Sequence, residues 1–368
     1  MGYAQQRVTS PLAAAIAAYG LPTDHTLPRE PLDDAEFDAL LEASEHHRIL
    51  GLLGTAVRDD AFAVTDPQRE RLDETWAAWL GHAVRAERLL LDATEILEAH
   101  SIRSFVLKGA ALAHAIYPDP AMRVVGDVDV LVEPANFTRA ANVLIAEADA
   151  SRGLPEIRRG FDDRYGKEVL LRIRDLEFDL HRTFSDGALG QTIRLEELVA
   201  DPTPFELGRR PLRALGHTPM TMHAAYNACF GDHPRRLIPM RDLVELNASC
   251  VDPAAIIECA SRWRASAVLA MATRISMQEL GVLDESPLSQ WARHFHSSAL
   301  ERLLVRAHSG PGRGYTRQAA ALWVVPGLRA RWRYGCALAF PDEAYLAARG
   351  VKRMSFVRGA RAKIRSRA

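Results

Sequence analysis

Residues 122–134 read MRVVGDVDVLVEP, with Asp127 and Asp129 one residue apart among valines. Carboxylates are costly in apolar surroundings unless something compensates their charge. On a strand, positions i and i+2 face the same way. Asp127, Asp129 and Leu131 therefore share one face, and Val128, Val130 and Val132 the other. The valine face suits a core, and the two carboxylates point together at one spot. Like charges held that close raise each other's pKa. A divalent cation relieves the conflict, because hard cations take oxygen ligands. The competing reading is a pair of solvent-facing acids on an exposed sheet.

A second stretch has the same form. In LEFDLHRTF, residues 176–184, Leu176, Phe178 and Leu180 alternate with Glu177, Asp179 and His181. If this strand lies beside DVDVLV, Asp179 joins the first two aspartates. Three carboxylates on neighbouring strands can hold two Mg²⁺ ions, which activate a hydroxyl and support a leaving pyrophosphate. Upstream, FVLKGAAL (residues 105–112) runs strand, Lys-Gly, helix. Gly109 lets a phosphate approach the backbone, and a helix N-terminus offers free N–H groups. Lys108 adds a point charge for a phosphate, and Arg123, four residues before Asp127, offers another.

Around these stretches the hydrophobic period changes twice. Residues 1–100 are helix-patterned, with a long helix expected from the Asp-Pro at 66–67 onward. Residues 101–212 carry short strands and helices: IRSFVL, GAALAHAIY, DVDVLV, a helix from Pro134, and KEVLLRI and LEFDLHRTF around a tight turn. Residues 213–348 are helical again, and 349–368 form a basic tail. The class is α+β: a small mixed sheet flanked by helical regions.

Composition sets outer bounds. The 368 residues are 48% apolar and 25% charged, as in ordinary globular proteins, and long enough for more than one compact unit. With 46 basic and 47 acidic residues, nothing global points to nucleic acid. One local exception is residues 349–368, with eight Lys or Arg and no acid. It reads as a solvated tail or as a contact for an anion such as RNA, a phosphate or an acidic peptide. Cys229, Cys250, Cys259 and Cys336 lack zinc spacing and are expected as free thiols in a reducing cytoplasm. The N-terminus lacks the apolar core of a signal peptide, and no apolar run is long enough to span a membrane. A cytoplasmic protein is the expectation.

The order strand, Gly at a helix start, Asp-x-Asp strand, then a strand with one Asp resembles the DNA polymerase beta-type nucleotidyltransferase superfamily. Leu107, Lys108, Gly109, Tyr117, Pro118, Arg123, Asp127 and Asp129 resemble, more narrowly, the core of an uncharacterised bacterial nucleotidyltransferase family. Phe178–His181 matches its third element, and flanking segments extend the likeness over roughly residues 40–350. One departure is Gly109-Ala110, where the superfamily has Gly-Gly or Gly-Ser, so a hydroxyl near the phosphates is missing. The resemblance implies a nucleotidyltransferase core fold. It also implies transfer of a nucleoside monophosphate from an NTP, ATP included, to a hydroxyl acceptor. Asp127, Asp129 and Asp179 would hold two Mg²⁺ ions, or Mn²⁺. Asp179 would take the acceptor's proton, and Lys108, Gly109 and Arg123 would hold the phosphates. The acceptor could be a small molecule, a peptide, a protein or an RNA end. Two rivals stand beside this: an Asp-x-Asp glycosyltransferase using a nucleotide sugar, and an inactive member serving as an interaction partner.

Other polar residues read more plainly. His181 is either a support for Asp179 or an ordinary strand-end histidine. His46 and His47 face different ways on a helix and read as packing or surface. Arg241-Asp242 reads as a buried ion pair ahead of an acceptor contact, and the tryptophans read as core.

Overall fold

A computed structural model describes residues 10–310 and 313–351, so most of the basic tail, residues 352–368, lies outside the described residues. The strands are β1 (Ser104–Val106), β2 (Val128–Val132), β3 (Ser151–Arg152), β4 (Glu168–Ile173), β5 (Leu176–His181), β6 (Thr203–Leu207) and β7 (Arg210–Ala214). They form one mixed sheet in the order β3-β4-β5-β2-β1-β7-β6. β2 lies at its centre, antiparallel to β1 and parallel to β5. All of its residues are buried, Asp129 included. A central strand covered on both faces loses the alternation of a half-exposed one.

The β4–β5 hairpin turns at Arg174 and Asp175, with φ of 50° and 65°. A two-residue turn needs positive φ at both positions to match strand twist. The β6–β7 hairpin turns at Gly208 and Arg209 in the same way. This second hairpin is absent from the sequence reading, because Pro204 and Pro211 argue against a strand. They are tolerated because β6 is the sheet edge and β7 meets β1 only at Ala214.

Helices cover the sheet. The long helix Asp66–Ala99 starts at a capping box formed by Thr65 and Gln68. It packs with Phe137–Glu147 over the sheet. After β7 the chain is helical, beginning with His217–Phe230, Ile238–Ala248, Pro253–Arg262 and Ser266–Glu279. One continuous apolar core runs from Ala13 to Ala337. Cys229 and Cys259 are buried free thiols, while Cys250 and Cys336 are partly exposed. Among the described residues, no helix is long and apolar enough to cross a membrane.

A buried ion pair locks the helical region to the sheet. Arg123 donates through Nε to Asp242 Oδ1 at 2.7 Å and through Nη2 to Oδ2 at 3.0 Å. Its Nη1 donates to the Val124 carbonyl at 2.7 Å, and the Tyr117 hydroxyl donates to Asp242 Oδ1 at 2.8 Å. Arg241 turns the other way, onto Glu245 and the carbonyls of Ala17 and Tyr19. Removing one partner of a buried pair strands the other charge. Asp242→Ala is expected to cost about 3–5 kcal/mol in urea unfolding; an unchanged midpoint would show the pair to be dispensable.

Candidate active site

The strand-to-helix turn after β1 sets the geometry. The Leu107 N–H donates to the Asp129 carbonyl at 2.9 Å, which holds the end of β1 against β2. The chain then turns sharply into the helix Lys108–Ala115, with Lys108 at φ 29° and Gly109 at φ 30°, ψ −110°. A side chain at 109 would meet only ordinary contacts. The backbone conformation, not lack of space, is what calls for glycine. This turn aims Lys108 at the aspartates. Its Nζ lies 3.1 Å from Asp127 Oδ2 and 3.0 Å from Asp129 Oδ2. Burial alone would depress the Lys108 ammonium, but Asp129 and Asp127 outweigh it and hold its pKa above the ordinary lysine value.

A second cation reaches the same place from the N-terminal helices. Arg48 caps the helix Asp34–His47 in the left-handed conformation, φ 57°. Its Nη1 donates to Asp127 Oδ1 at 2.8 Å. The next helix, Leu50–Arg58, packs closely on residues 121–122 through Gly51, where a Cβ would sit 2.2 Å from the Ala121 carbonyl. Burial pushes the Asp127 carboxyl up, but Lys108 and Arg48 together hold it well below the usual range.

Parallel pairing of β2 with β5 places Asp129 opposite Asp179. Single ligand atoms of Asp129, Asp179 and His181 lie within 4.8 Å of one another. His181 Nε2 is 2.9 Å from Asp129 Oδ1, and its Nδ1 is 3.3 Å from Glu168 Oε2 on β4. Lys167 Nζ stands 2.6 Å from the same Glu168 oxygen. Burial, then the Glu168 and Asp129 charges, push the Asp179 carboxyl up to about 6. From the helical side, buried His223 stacks on Phe184 at 4.6 Å. Burial, with the nearby charges of His181 and Lys108, keeps it neutral.

Sequence reasoning thus brings together Lys108, Gly109, Asp127, Asp129 and Asp179. The ion-sized cluster itself contains Asp129, Asp179 and His181, and Asp127 joins it through the Lys108 ammonium. Arg123 does not reach the cluster: both edges of its guanidinium are occupied by Asp242 and Val124, which leaves no fork for a phosphate. Arg48, Lys167, Glu168 and His223 escaped the sequence reading. The Glu168 position in KEVLLRI, opposite His181 in the hairpin register, is the signal that could have found it.

The donor set fits a divalent cation. Asp129 Oδ2 is buried and, apart from its charge contact with Lys108, meets no well-directed donor. The raised Asp179 carboxyl marks uncompensated negative charge beside it. His181 and Lys108, both in contact with Asp129, line a cavity of about 940 Å³ together with Lys167, Glu168 and His223. Tyr315, Arg317, Gln318, Tyr345 and Arg349, from the C-terminal helices, also line it.

Residues 33–281 match the profile of a family described as uncharacterised nucleotidyltransferase. The chain belongs to that family. Its matched segment contains every residue of the carboxylate cluster, but not the cavity-lining residues from 314 to 349. No curated protein matches the chain. Among solved structures, an antigenic nucleotidyltransferase-like protein from Paracoccidioides brasiliensis is similar at 12% identity and a TM-score of 0.32. The alignment covers 54% of this chain and 90% of that one. That likeness is too loose to inform the site.

Lys108→Met leaves Asp127 and Asp129 short of positive charge. Its expected cost without divalent ions is about 3 kcal/mol, read by urea unfolding. Added Mg²⁺ should recover part of that loss. A variant as stable as the parent would show that the ammonium does not hold the carboxylates.

Proposed function

We propose that the protein transfers a nucleoside monophosphate from an NTP to a hydroxyl acceptor, with pyrophosphate leaving. The observation that carries this is the side-by-side placement of Asp129 and Asp179 on parallel strands, with His181 beside them and Lys108 on Asp129, the latter two lining a cavity. A cavity of about 940 Å³ is of the size that takes a nucleotide-scale ligand. Mg²⁺ held by Asp127, Asp129 and Asp179 would supply positive charge to the triphosphate and a lower pKa to the attacking hydroxyl.

The chain's own groups do the rest. Lys108 has a flexible stem and is released from the carboxylates when their charge is met otherwise, so its ammonium is available to a phosphate oxygen. Lys167 lines the same cavity. The acceptor oxygen bonds to the α-phosphorus, and the bond from that phosphorus to the β-bridging oxygen breaks. The bridging oxygen leaves with the electron pair, and the acceptor's proton passes to Asp179. A carboxyl raised to about 6 is ionised at neutral pH yet basic enough to accept that proton. His181 and Glu168 position the carboxylates, and neutral His223 closes the site without adding charge. The acceptor rests against the wall formed by Tyr315, Arg317, Gln318 and Tyr345.

Incubation with Mg²⁺, each labelled NTP and cell extract, followed by mass spectrometry, is expected to show nucleoside monophosphate adducts and free pyrophosphate. Sugar transfer from nucleotide sugars in parallel reactions, or no Mg²⁺-dependent NTP binding by calorimetry, would overturn the proposal. Asp129→Asn and Asp179→Asn are each expected to lower kcat on the order of 10²–10³-fold, with melting curves reported alongside to exclude unfolding. Because Asp179 must lose its proton to take a cation, the Mg²⁺ affinity of the protein without NTP should fall as pH drops through about 6, read by calorimetry. A flat profile from pH 5 to 8 would remove Asp179 from that role.

A further inference from the structure

A second concavity lies outside the carboxylate site. Its volume is about 480 Å³, and Arg158, Arg159, Arg164 and Arg333 line it together with Trp332. Among the described residues, neither Arg159 nor Arg333 has a carboxylate within ion-pair reach, and Asp342 stands 3.8 Å from Arg158. Trp332 is 74% exposed, and Trp323, whose carbonyl accepts from Arg331, is 82% exposed. Exposed tryptophans are uncommon on a soluble surface and mark contact sites. The segment between Glu301 and Asp342 holds seven arginines and no acid. The chain as a whole has a net charge of −1, so this run is a local concentration of positive charge along the sequence, and Arg333 brings it to the hollow.

We infer that this face binds a single-stranded polynucleotide. Four guanidiniums around a hollow match phosphates following a curved backbone, whereas a flat lipid surface would meet a convex face. An indole open to solvent offers a stacking platform for a base, which a single strand presents and a duplex hides. The undescribed residues 352–368 carry seven Lys or Arg and no acid, so like charge makes that segment a poor occupant of the hollow. The inference is independent of nucleotidyl transfer.

The test uses the full chain without NTP or divalent metal, so a failure of the transfer chemistry cannot mask it. Fluorescence anisotropy with labelled twelve-residue oligopyrimidines, one RNA and one DNA, is expected to show binding at low salt. It should weaken as salt rises, with a log–log slope near −0.7 per phosphate contact. The double variant Arg159→Gln/Arg333→Gln should lose at least tenfold in affinity, and its slope should become shallower by about 1.4. Trp332→Ala should lose about tenfold with the slope kept. All three side chains are exposed, so unchanged melting curves are expected of the variants. Equal binding by parent and variants would overturn the inference. So would co-sedimentation with phosphatidylserine vesicles in place of oligonucleotide binding, or a response to inorganic phosphate alone.

Discussion

The Lys108 ammonium between Asp127 and Asp129 is the contact on which the rest of the site depends. Pairing β2 with β5 puts carboxylates on adjacent strands in a largely buried place, and such an arrangement needs a counter-charge to exist at all. The backbone yields to that need at two points. The turn at Lys108 and Gly109 takes positive φ so that the lysine reaches inward rather than along the helix. Arg48 takes a left-handed cap so that a second cation arrives from the N-terminal helices. Local backbone strain of this sort persists when surrounding structure over-determines it, and it clusters at functional sites.

Two charge networks lie on either side of residues 123–127, and their difference separates structure from chemistry. Asp242 receives three donors from Arg123 and Tyr117, and Arg123 has its remaining edge on a carbonyl. Every partner is matched, so the network can hold but has nothing left to bind. Asp129 and Asp179 are under-matched: one has an oxygen without a directed donor, and the other is pushed towards protonation by its neighbours. Unmet charge in contact with groups that line a cavity is what a ligand can satisfy.

The period-two alternation of DVDVLV and LEFDLHRTF was enough to foresee that Asp129 and Asp179 would share a face, because side-chain direction on a strand is local. The α+β class and the Asp66 helix start were legible for the same reason. Arg123 shows where locality stops. Four residues from Asp127 it is close in sequence, yet its partner Asp242 is 119 residues away, and spacing cannot show which carboxylate a long side chain will find. Arg48 was hidden likewise, since its reach to Asp127 spans 79 residues. The β6–β7 hairpin was hidden by prolines whose tolerance depends on edge position, a property of the assembled sheet.

The boundary of the family match has a physical counterpart in the cavity. Residues 33–281 contain the strands, the turn at Lys108 and the carboxylates, the parts to which the proposed function assigns the triphosphate. Residues 314–349, beyond that boundary, supply a further wall of the cavity. Phosphate chemistry is the same whatever the acceptor, so its residues need only one arrangement. An acceptor must be recognised by shape and by its own polar groups, and a wall built on separate helices can change without disturbing the strands that hold the carboxylates. Arg317, paired with Asp186 at 2.7 Å, is one of the contacts that join these residues to the core, alongside Gln318 on Asp186 and Tyr334 against Phe161. On the proposed reading, acceptor selection and phosphoryl transfer fall to different segments of one chain, both of which line the same cavity.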